Sequence, residues 1–265
     1  MKKALQIILT AGLMMILVVG SGCGTYTHTT INGTPVDIEV AQTSSAIVTA
    51  GKDEYEFSFY YNKIGSKKLA DMVRSGEIPS STTSLNLHGA DIDDLSPLQS
   101  LSSLARLELG INYIRDISPL QSLIKLSDLT LRGNHTIDLA PLRSLTNLTI
   151  LDLGQLQISD ISPLQSLTQL SILSLDENAI DDLTPLSLLM NLTELNLANN
   201  YVSDLSPLKL LINLEKLTLH GNRFEDLTPL NAMAKLTHLD LRYNQVDPAQ
   251  LELLRKTLPN CIIII

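Results

Sequence analysis

Leucine recurs along this 265-residue chain with a period of 22, and the pattern of the positions between leucines is as regular as the leucines themselves. The unit reads Leu-x-x-Leu-x-Leu-x-x-Asn-x-Ile-x-Asp-Leu-Ser-Pro-Leu-x-x-Leu-x-x, as in Leu170 to Asn191. Its Leu-x-Leu centre, for example Leu107-Glu108-Leu109, is a period-two alternation that predicts a short strand with one buried face. A unit of this size cannot bury its leucines alone, so it has to stack on its neighbours as parallel rungs about 4.8 Å apart. Eight such rungs, from Leu85 to Leu241, span about 35 Å.

Polar residues punctuate the rungs at fixed places. Asn112, Asn134, Asn178, Asn200, Asn222 and Asn244 follow the strands. A column of side-chain amides there can satisfy backbone groups that the bend leaves unpaired. Ala90 and Leu156 interrupt the column, so the first and fourth rungs are expected to be less regular. Pro97, Pro119, Pro141, Pro163, Pro185, Pro207 and Pro229 keep the same period. Most are preceded by Ser or Thr, which predicts a hydroxyl-capped helical turn on the outer side of each coil. A second unbroken column, Asp94, Asp116, Asp138, Asp160, Asp182, Asp204 and Asp226, stands two residues before the cap position. Single carboxylates one rung apart lack the clustered oxygens calcium needs, so hydrogen bonding to loop amides is the expected role, and no metal or cofactor is expected.

The repeat resembles the leucine-rich repeat family. Its 22-residue length and Asp-Leu-Ser/Thr-Pro-Leu segment are similar to the bacterial, internalin-like subclass, whose repeat form also resembles a regulatory subunit of protein phosphatase. The resemblance covers about residues 82–265 and implies an α/β solenoid. In it a curved parallel sheet forms the concave face, short 3-10 or helical turns form the convex face, and a cap closes each end. It also implies that partners bind on the concave sheet.

The strand register then gives the outward side chains. The middle column is Asn86, Glu108, Thr130, Asp152, Ser174, Asn196, Thr218 and Asp240. On one side lie Ser84, Arg106, Asp128, Ile150, Ile172, Glu194, Lys216 and His238, and on the other His88, Gly110, Arg132, Gly154, Asp176, Ala198, His220 and Arg242. Ile150 and Ile172 form an apolar pair on adjacent rungs, with Asp152, Asp176, Glu177 and Glu194 around it. A basic protein or peptide would complement such a centre. Glu108, Arg106, Arg132 and Tyr243, an aromatic anchor at the margin, complete the candidate contact set.

Outside residues 82–246 the rhythm stops. Pro248 to Thr257 carries apolar residues at helical spacing after Asp247-Pro248, predicting a capping helix within a C-terminal cap, residues 247–265. A last strand, Cys261 to Ile265, is expected to pair on the final edge and pack under that helix. Ser66 to Gly76 reads as the helix that shields the first edge. With two short strands turning near Gly51-Lys52-Asp53 it makes up an N-terminal unit, residues 46–81. That unit holds Tyr55, Phe57, Phe59, Tyr60 and Tyr61, half of the ten aromatic residues. Residues 23–45, rich in Thr and Ser, read as a loosely ordered tether.

Residues 1–22 have the layout of a secretion signal: Lys2 and Lys3, an uncharged apolar run from Ala4 to Val19, then small residues. The run reaches about 25 Å as a helix, short of the roughly 30 Å of a bilayer core. Ser21-Gly22-Cys23 resembles a bacterial lipoprotein signal, which implies a lipid on Cys23 and a membrane-anchored place in the cell envelope. Gly20 departs from that pattern, and ordinary cleavage near Gly22 with secretion stays open, as does a membrane helix.

Charge and chemistry narrow the function. The formal charge is −9, and loss of a signal carrying Lys2 and Lys3 and no acid takes it to −11, which argues against nucleic acid. Cys23 and Cys261 make no disulfide framework, and Cys261 is expected to be a buried thiol. The histidines, His28, His88, His135, His220 and His238, are scattered, and no nucleophile turn, phosphate loop or metal-ligand spacing occurs. The expectation is a non-enzymatic binding protein outside the cytoplasm, with an adhesion or surface-interaction role. A structural or self-associating envelope protein and a regulatory subunit of an envelope enzyme remain alternatives.

Overall fold

A computed structural model of the chain describes residues 63–135 and 137–265 in full and, before them, only the backbone of five short strands. Those are β1 (Ile16–Val18), β2 (Thr27–Ile31), β3 (Thr34–Ile38), β4 (Ile47–Ala50) and β5 (Tyr55–Ser58). Helix α1 (Gly65–Ser75) follows. Then come the eight rung strands β6 (Ser84–Asn86), β7 (Arg106–Glu108), β8 (Asp128–Thr130), β9 (Ile150–Asp152), β10 (Ile172–Ser174), β11 (Glu194–Asn196), β12 (Lys216–Thr218) and β13 (His238–Asp240), and last α2 (Pro248–Thr257) and β14 (Ile262–Ile264).

Strands β6 to β14 are parallel and pair in chain order; from β6 to β13 each rung is one repeat from the next, so Leu85 faces Leu107, then Leu129, Leu151 and so on to Leu239, and Leu239 faces Ile263 of β14. Period-two geometry turns the central leucine of every strand inward, where it is at most 2% exposed, and its two neighbours outward. Leucines of the turns and of the seven 3-10 helices fill the other side of one continuous core that runs from Leu69 to Leu258. The 3-10 helices stand on the convex side, each with its proline in the first turn.

The asparagine column does what the bend requires. Asn134 donates from Nδ2 to the carbonyls of Leu131 in its own rung and Leu109 in the rung before, and its Oδ1 accepts from the Ile114 N–H. Where the column is interrupted, the next asparagine serves two N–H groups: Asn112 accepts from Ala90 and Ile92, Asn178 from Leu156 and Ile158. These are the two rungs expected to be irregular. In them the residue after the break, Asp91 or Gln157, takes a left-handed conformation with φ of 60° or 57°.

A further regularity lies just before the asparagine position. Gly89, Ile111, Gly133, Gln155, Glu177, Asn199, Gly221 and Tyr243 all have positive φ. Glycine adopts this conformation without cost, whereas β-branched Ile111, at φ 53°, is strained.

The caps of the 3-10 helices differ from the sequence expectation. The Ser and Thr hydroxyls do not cap; the aspartates do. Asp116 Oδ1 accepts from the Ser118 N–H at 2.8 Å, and the Ser118 hydroxyl donates to the other carboxylate oxygen at 2.9 Å. The same N–H bond recurs at Asp94, Asp138, Asp160, Asp182, Asp204 and Asp226. The free N–H belongs to the Ser or Thr itself, whose own hydroxyl cannot reach it, so the carboxylate two residues earlier accepts it instead. These bonds hold the Asp160, Asp182 and Asp204 carboxyls below the usual range.

Both capping helices form where their sequences place them. In α1, Leu69 and Met72 face the core and Gly76 ends the helix at φ 77°. Ser66 Oγ donates to Asp93 and accepts from the Asp93 and Asp94 N–H groups, which pins α1 to the first rung. In α2, the Asp247 side chain accepts from the Ala249 N–H at 2.8 Å and Pro248 sits in the first turn.

The edges are closed differently from expectation. It is β5, not α1, that lines the first rung, pairing in parallel with β6, while β4 and β5 form the expected hairpin. At the other end β14 pairs with β13, but Ile262, Ile264 and Ile265 stay exposed instead of packing under α2, because strand alternation turns only Ile263 toward the core. Cys261 is half-buried rather than buried, and burial raises its thiol pKa. In the stretch read as a tether, β2 and β3 pair as antiparallel strands. The signal reading of residues 1–22 and the side chain of Cys23 lie outside the described residues, apart from the backbone of β1. No helix among the described residues is long and apolar enough to cross a membrane.

Candidate functional site

The three outward columns read from the sequence are the columns of the sheet, since the observed register aligns Ser84 with Arg106, Asp128, Ile150, Ile172, Glu194, Lys216 and His238. Strands place these side chains on rigid backbone, so their spacing is set by the ladder rather than by loop motion.

One column has a symmetric order: Arg106, Asp128, Ile150, Ile172, Glu194, Lys216. An apolar centre of two half-buried isoleucines is flanked on each side by an acid and then a base. Lys216 donates to Glu194 at 2.7 Å. Burial raises the Asp128 carboxyl, and the Arg106 charge works against that rise. Glu108, in the middle column, is likewise raised by burial, with a bond from Thr130 opposing. The isoleucines are less exposed than the sequence pattern suggests, because neighbouring rungs only about 4.8 Å away cover their flanks.

Beside this column lies a charge network that crosses three rungs. Arg132 Nε donates to Asp152 Oδ2 at 2.9 Å, and its two terminal nitrogens donate to both carboxylate oxygens of Asp176, one of them at 3.1 Å. The arginine reaches Asp176 by lying across Gly154, where a Cβ would collide with the guanidinium. The Ser174 hydroxyl and the Asn196 amide complete the shell of Asp176. Burial pushes the Asp176 carboxyl up, but the bonds from Arg132 and Ser174 outweigh it and hold the group below its ordinary value. Burial also works against the Arg132 charge, and its two aspartates more than restore it, raising its pKa. Of the acids expected as a margin for a basic ligand, Asp152, Asp176 and Glu194 are therefore already paired with Arg132 and Lys216, whereas Glu177 is exposed and accepts from the Gln155 amide.

At the C-terminal end of the face Arg242 clamps Asp240 through Nε at 3.0 Å and a terminal nitrogen at 2.6 Å, which lowers the Asp240 carboxyl. His220 Nδ1 lies 3.3 Å from Asp240 without the alignment of a hydrogen bond. Tyr243 stands next to this group and is 82% exposed.

Sequence reasoning missed the aromatic rim. Tyr113 and Tyr201 occupy one repeat position, directly after Asn112 and Asn200, and both are exposed at the margin of the sheet. Arg223 lies over the Tyr201 ring at 4.3 Å, and the Tyr113 and His135 rings are 6.4 Å apart. The signal was available: these positions are 22-residue equivalents in the column that follows the asparagines.

Comparison with known proteins gives concordant results. The family described as leucine-rich repeats (2 copies) matches residues 190–232. Internalin C2 of Listeria monocytogenes superimposes with a TM-score of 0.68 at 30% sequence identity, over 74% of this chain and 91% of that one. A second Listeria monocytogenes internalin, InlF, gives 0.64 at 28% identity, over 79% and 66%. A leucine-rich repeat protein of Leptospira interrogans shares the fold, with a TM-score of 0.50 at 24% identity over 70% and 62%. No curated protein sequence matches the chain.

Proposed function

The chain belongs to the internalin-like leucine-rich repeat proteins, and from that premise we propose that it binds a protein or peptide on its concave face, outside the cytoplasm, while held to the envelope by a lipid on Cys23. The observation that carries the reading is the ordered column at the centre of the sheet. Two half-buried isoleucines between paired charges form an apolar seat with a polar rim, the anatomy of a protein interface. Since Asp152, Asp176 and Glu194 are paired within the chain, the partner is selected less by net positive charge than by an apolar side chain fitting over Ile150 and Ile172. Arg106, Glu108, Lys216 and Tyr243 then offer polar and aromatic contacts around it. The face is built of fixed strands and internally satisfied ion pairs, which suits capture of a partner rather than chemistry, so the role is adhesion or surface interaction.

A cross-linking pull-down from intact cells and host material tests this, comparing the chain with its Ile150→Arg and Ile172→Arg variants. A partner held by the first and lost by the variants, with circular dichroism unchanged, supports the concave face. Equal capture by all three rejects it. Anchoring is tested separately: Cys23→Ser should move the protein from the membrane to the soluble fraction.

A further inference from the structure

The two long flanks of the solenoid carry opposite charge. The segments that leave the strands toward the 3-10 helices, residues 91–94, 113–116, 135–138, 157–160, 179–182, 201–204 and 223–226, hold eleven acids and two arginines. The segments that return to the strands, residues 99–105, 121–127, 143–149, 165–171, 187–193, 209–215 and 231–237, hold Lys125, Arg143, Lys209 and Lys235 against one acid, Glu215. In a chain of net charge −9, cations are thus in excess along one strip, and all five of these charged residues are exposed.

The same strip carries an apolar patch. Leu188 and Met190 on one rung, and Leu210 and Ile212 on the next, are 57%, 54%, 51% and 53% exposed. The equivalent positions of earlier rungs hold Ser100 and Ser102, Ser122 and Ile124, Ser144 and Thr146, Ser166 and Thr168, so that of these only Ile124, 59% exposed, is a large aliphatic. Four large aliphatic side chains therefore stand together, on rungs about 4.8 Å apart, where the earlier rungs present hydroxyls and a single isoleucine and the following rung has Ala232 and Ala234. Their backbone is fixed: Asn191 donates to the Thr168 carbonyl at 2.9 Å and Asn213 to the Met190 carbonyl at 2.8 Å. Lys235 is held beside the patch by its 2.8 Å bond to Asn213 Oδ1.

We propose that this flank docks on an anionic phospholipid bilayer. Leu188, Met190, Leu210 and Ile212 enter the headgroup layer, and Lys209 and Lys235, with Arg143 and Lys125 farther along the strip, lie against lipid phosphates. Aliphatic side chains with lysines beside them are the combination that binds an anionic interface, because burial of apolar area and attraction to the surface potential act together. The charge asymmetry selects this occupant and sets the orientation: the acidic flank turns away from the bilayer, and the concave face opens sideways along it. The proposal does not depend on the lipid on Cys23.

The chain contains no tryptophan, so single substitutions report locally. The full chain carrying Cys23→Ser is made with Met190→Trp, with Ile212→Trp or, on the opposite flank, with Tyr201→Trp, all at exposed positions. Each is titrated with phosphatidylglycerol–phosphatidylcholine vesicles. Emission should move to the blue at positions 190 and 212 and stay unchanged at 201. This holds whether or not the apolar run at residues 4–19 also holds the chain on the vesicle. Adding Lys209→Glu and Lys235→Glu should raise the vesicle concentration needed by roughly tenfold or more. An unchanged emission at 190 and 212, or an equal shift at 201, overturns the proposal. So does a shift that grows with protein concentration in the absence of vesicles, which would assign the patch to a second copy of the chain.

Discussion

Replacing Arg132 by methionine removes the cation from a site that was assembled around it. Three bonds to Asp152 and Asp176 are lost, and Asp176, whose side chain is only 11% exposed, keeps its charge without a counterion. Hydrogen bonds to charged groups contribute about 1.5–3 kcal/mol each, and stranding a buried partner costs about 3–5 kcal/mol. Arg132 itself is 27% exposed and Asp152 25%, so solvent screens part of this, and a loss of about 2–3 kcal/mol at neutral pH is expected. Acid should reduce the difference. In the parent chain the Asp176 carboxyl is depressed, so its contribution is present above its unfolded pKa and fades as pH falls through the lower folded value. In the variant, burial without Arg132 raises the carboxyl, which protonates early and then needs no partner, so the cost should be smaller at pH 3 than at pH 7. Urea unfolding followed by circular dichroism at pH 7 and pH 3 measures both numbers. Gly154→Ala, which drives a Cβ into the guanidinium, should lose a similar amount alone and little more in the Arg132→Met background. A cost under about 0.5 kcal/mol at pH 7, or one independent of pH, would refute the network as described.

Two further outcomes follow from the turns. Asn178→Ala leaves the Leu156 and Ile158 N–H groups and the Leu153 carbonyl without their bonds, while the Leu175 carbonyl keeps only the bond from Asn200, so a loss of about 2–4 kcal/mol is expected in urea unfolding, more than for Asn134→Ala. Ile111→Asn relieves a β-branched residue at φ 53° and should stabilise by about 0.5–1 kcal/mol, read as a higher melting temperature.

Much of this architecture was legible in the residues because a strict period converts sequence spacing into spatial adjacency. The columns of the concave face, the service performed by the asparagines and the irregular rungs at Ala90 and Leu156 all follow from that conversion, while the limits of α2 follow from Asp247-Pro248 and the helical spacing after it. The Arg132 network was legible in principle as well, since Arg132, Gly154 and Asp176 are successive members of one column and a glycine between opposite charges leaves room for a long side chain to cross. What escaped reading were choices between nearly equal local solutions. Asp116 and Ser118 are both residue types that cap helical turns, and only the geometry of the turn assigns the cap to the carboxylate. The first edge could be covered by α1 or by β5, and sequence periodicity is silent outside the array. Exposure along the last strand turned on which isoleucine the ladder points inward.

Each asparagine serves the rung before it as well as its own, and none serves the rung after it. The solenoid is therefore mechanically polar. Load applied at the C-terminal cap peels away the rung whose amide secures its predecessor, so every step weakens the next. Load applied from the N-terminal end detaches a rung while leaving the amides of those behind it seated in their own turns. Under tension, which acts equally on both ends, the array should therefore peel first from its C-terminal side, once α2 and β14 have let go.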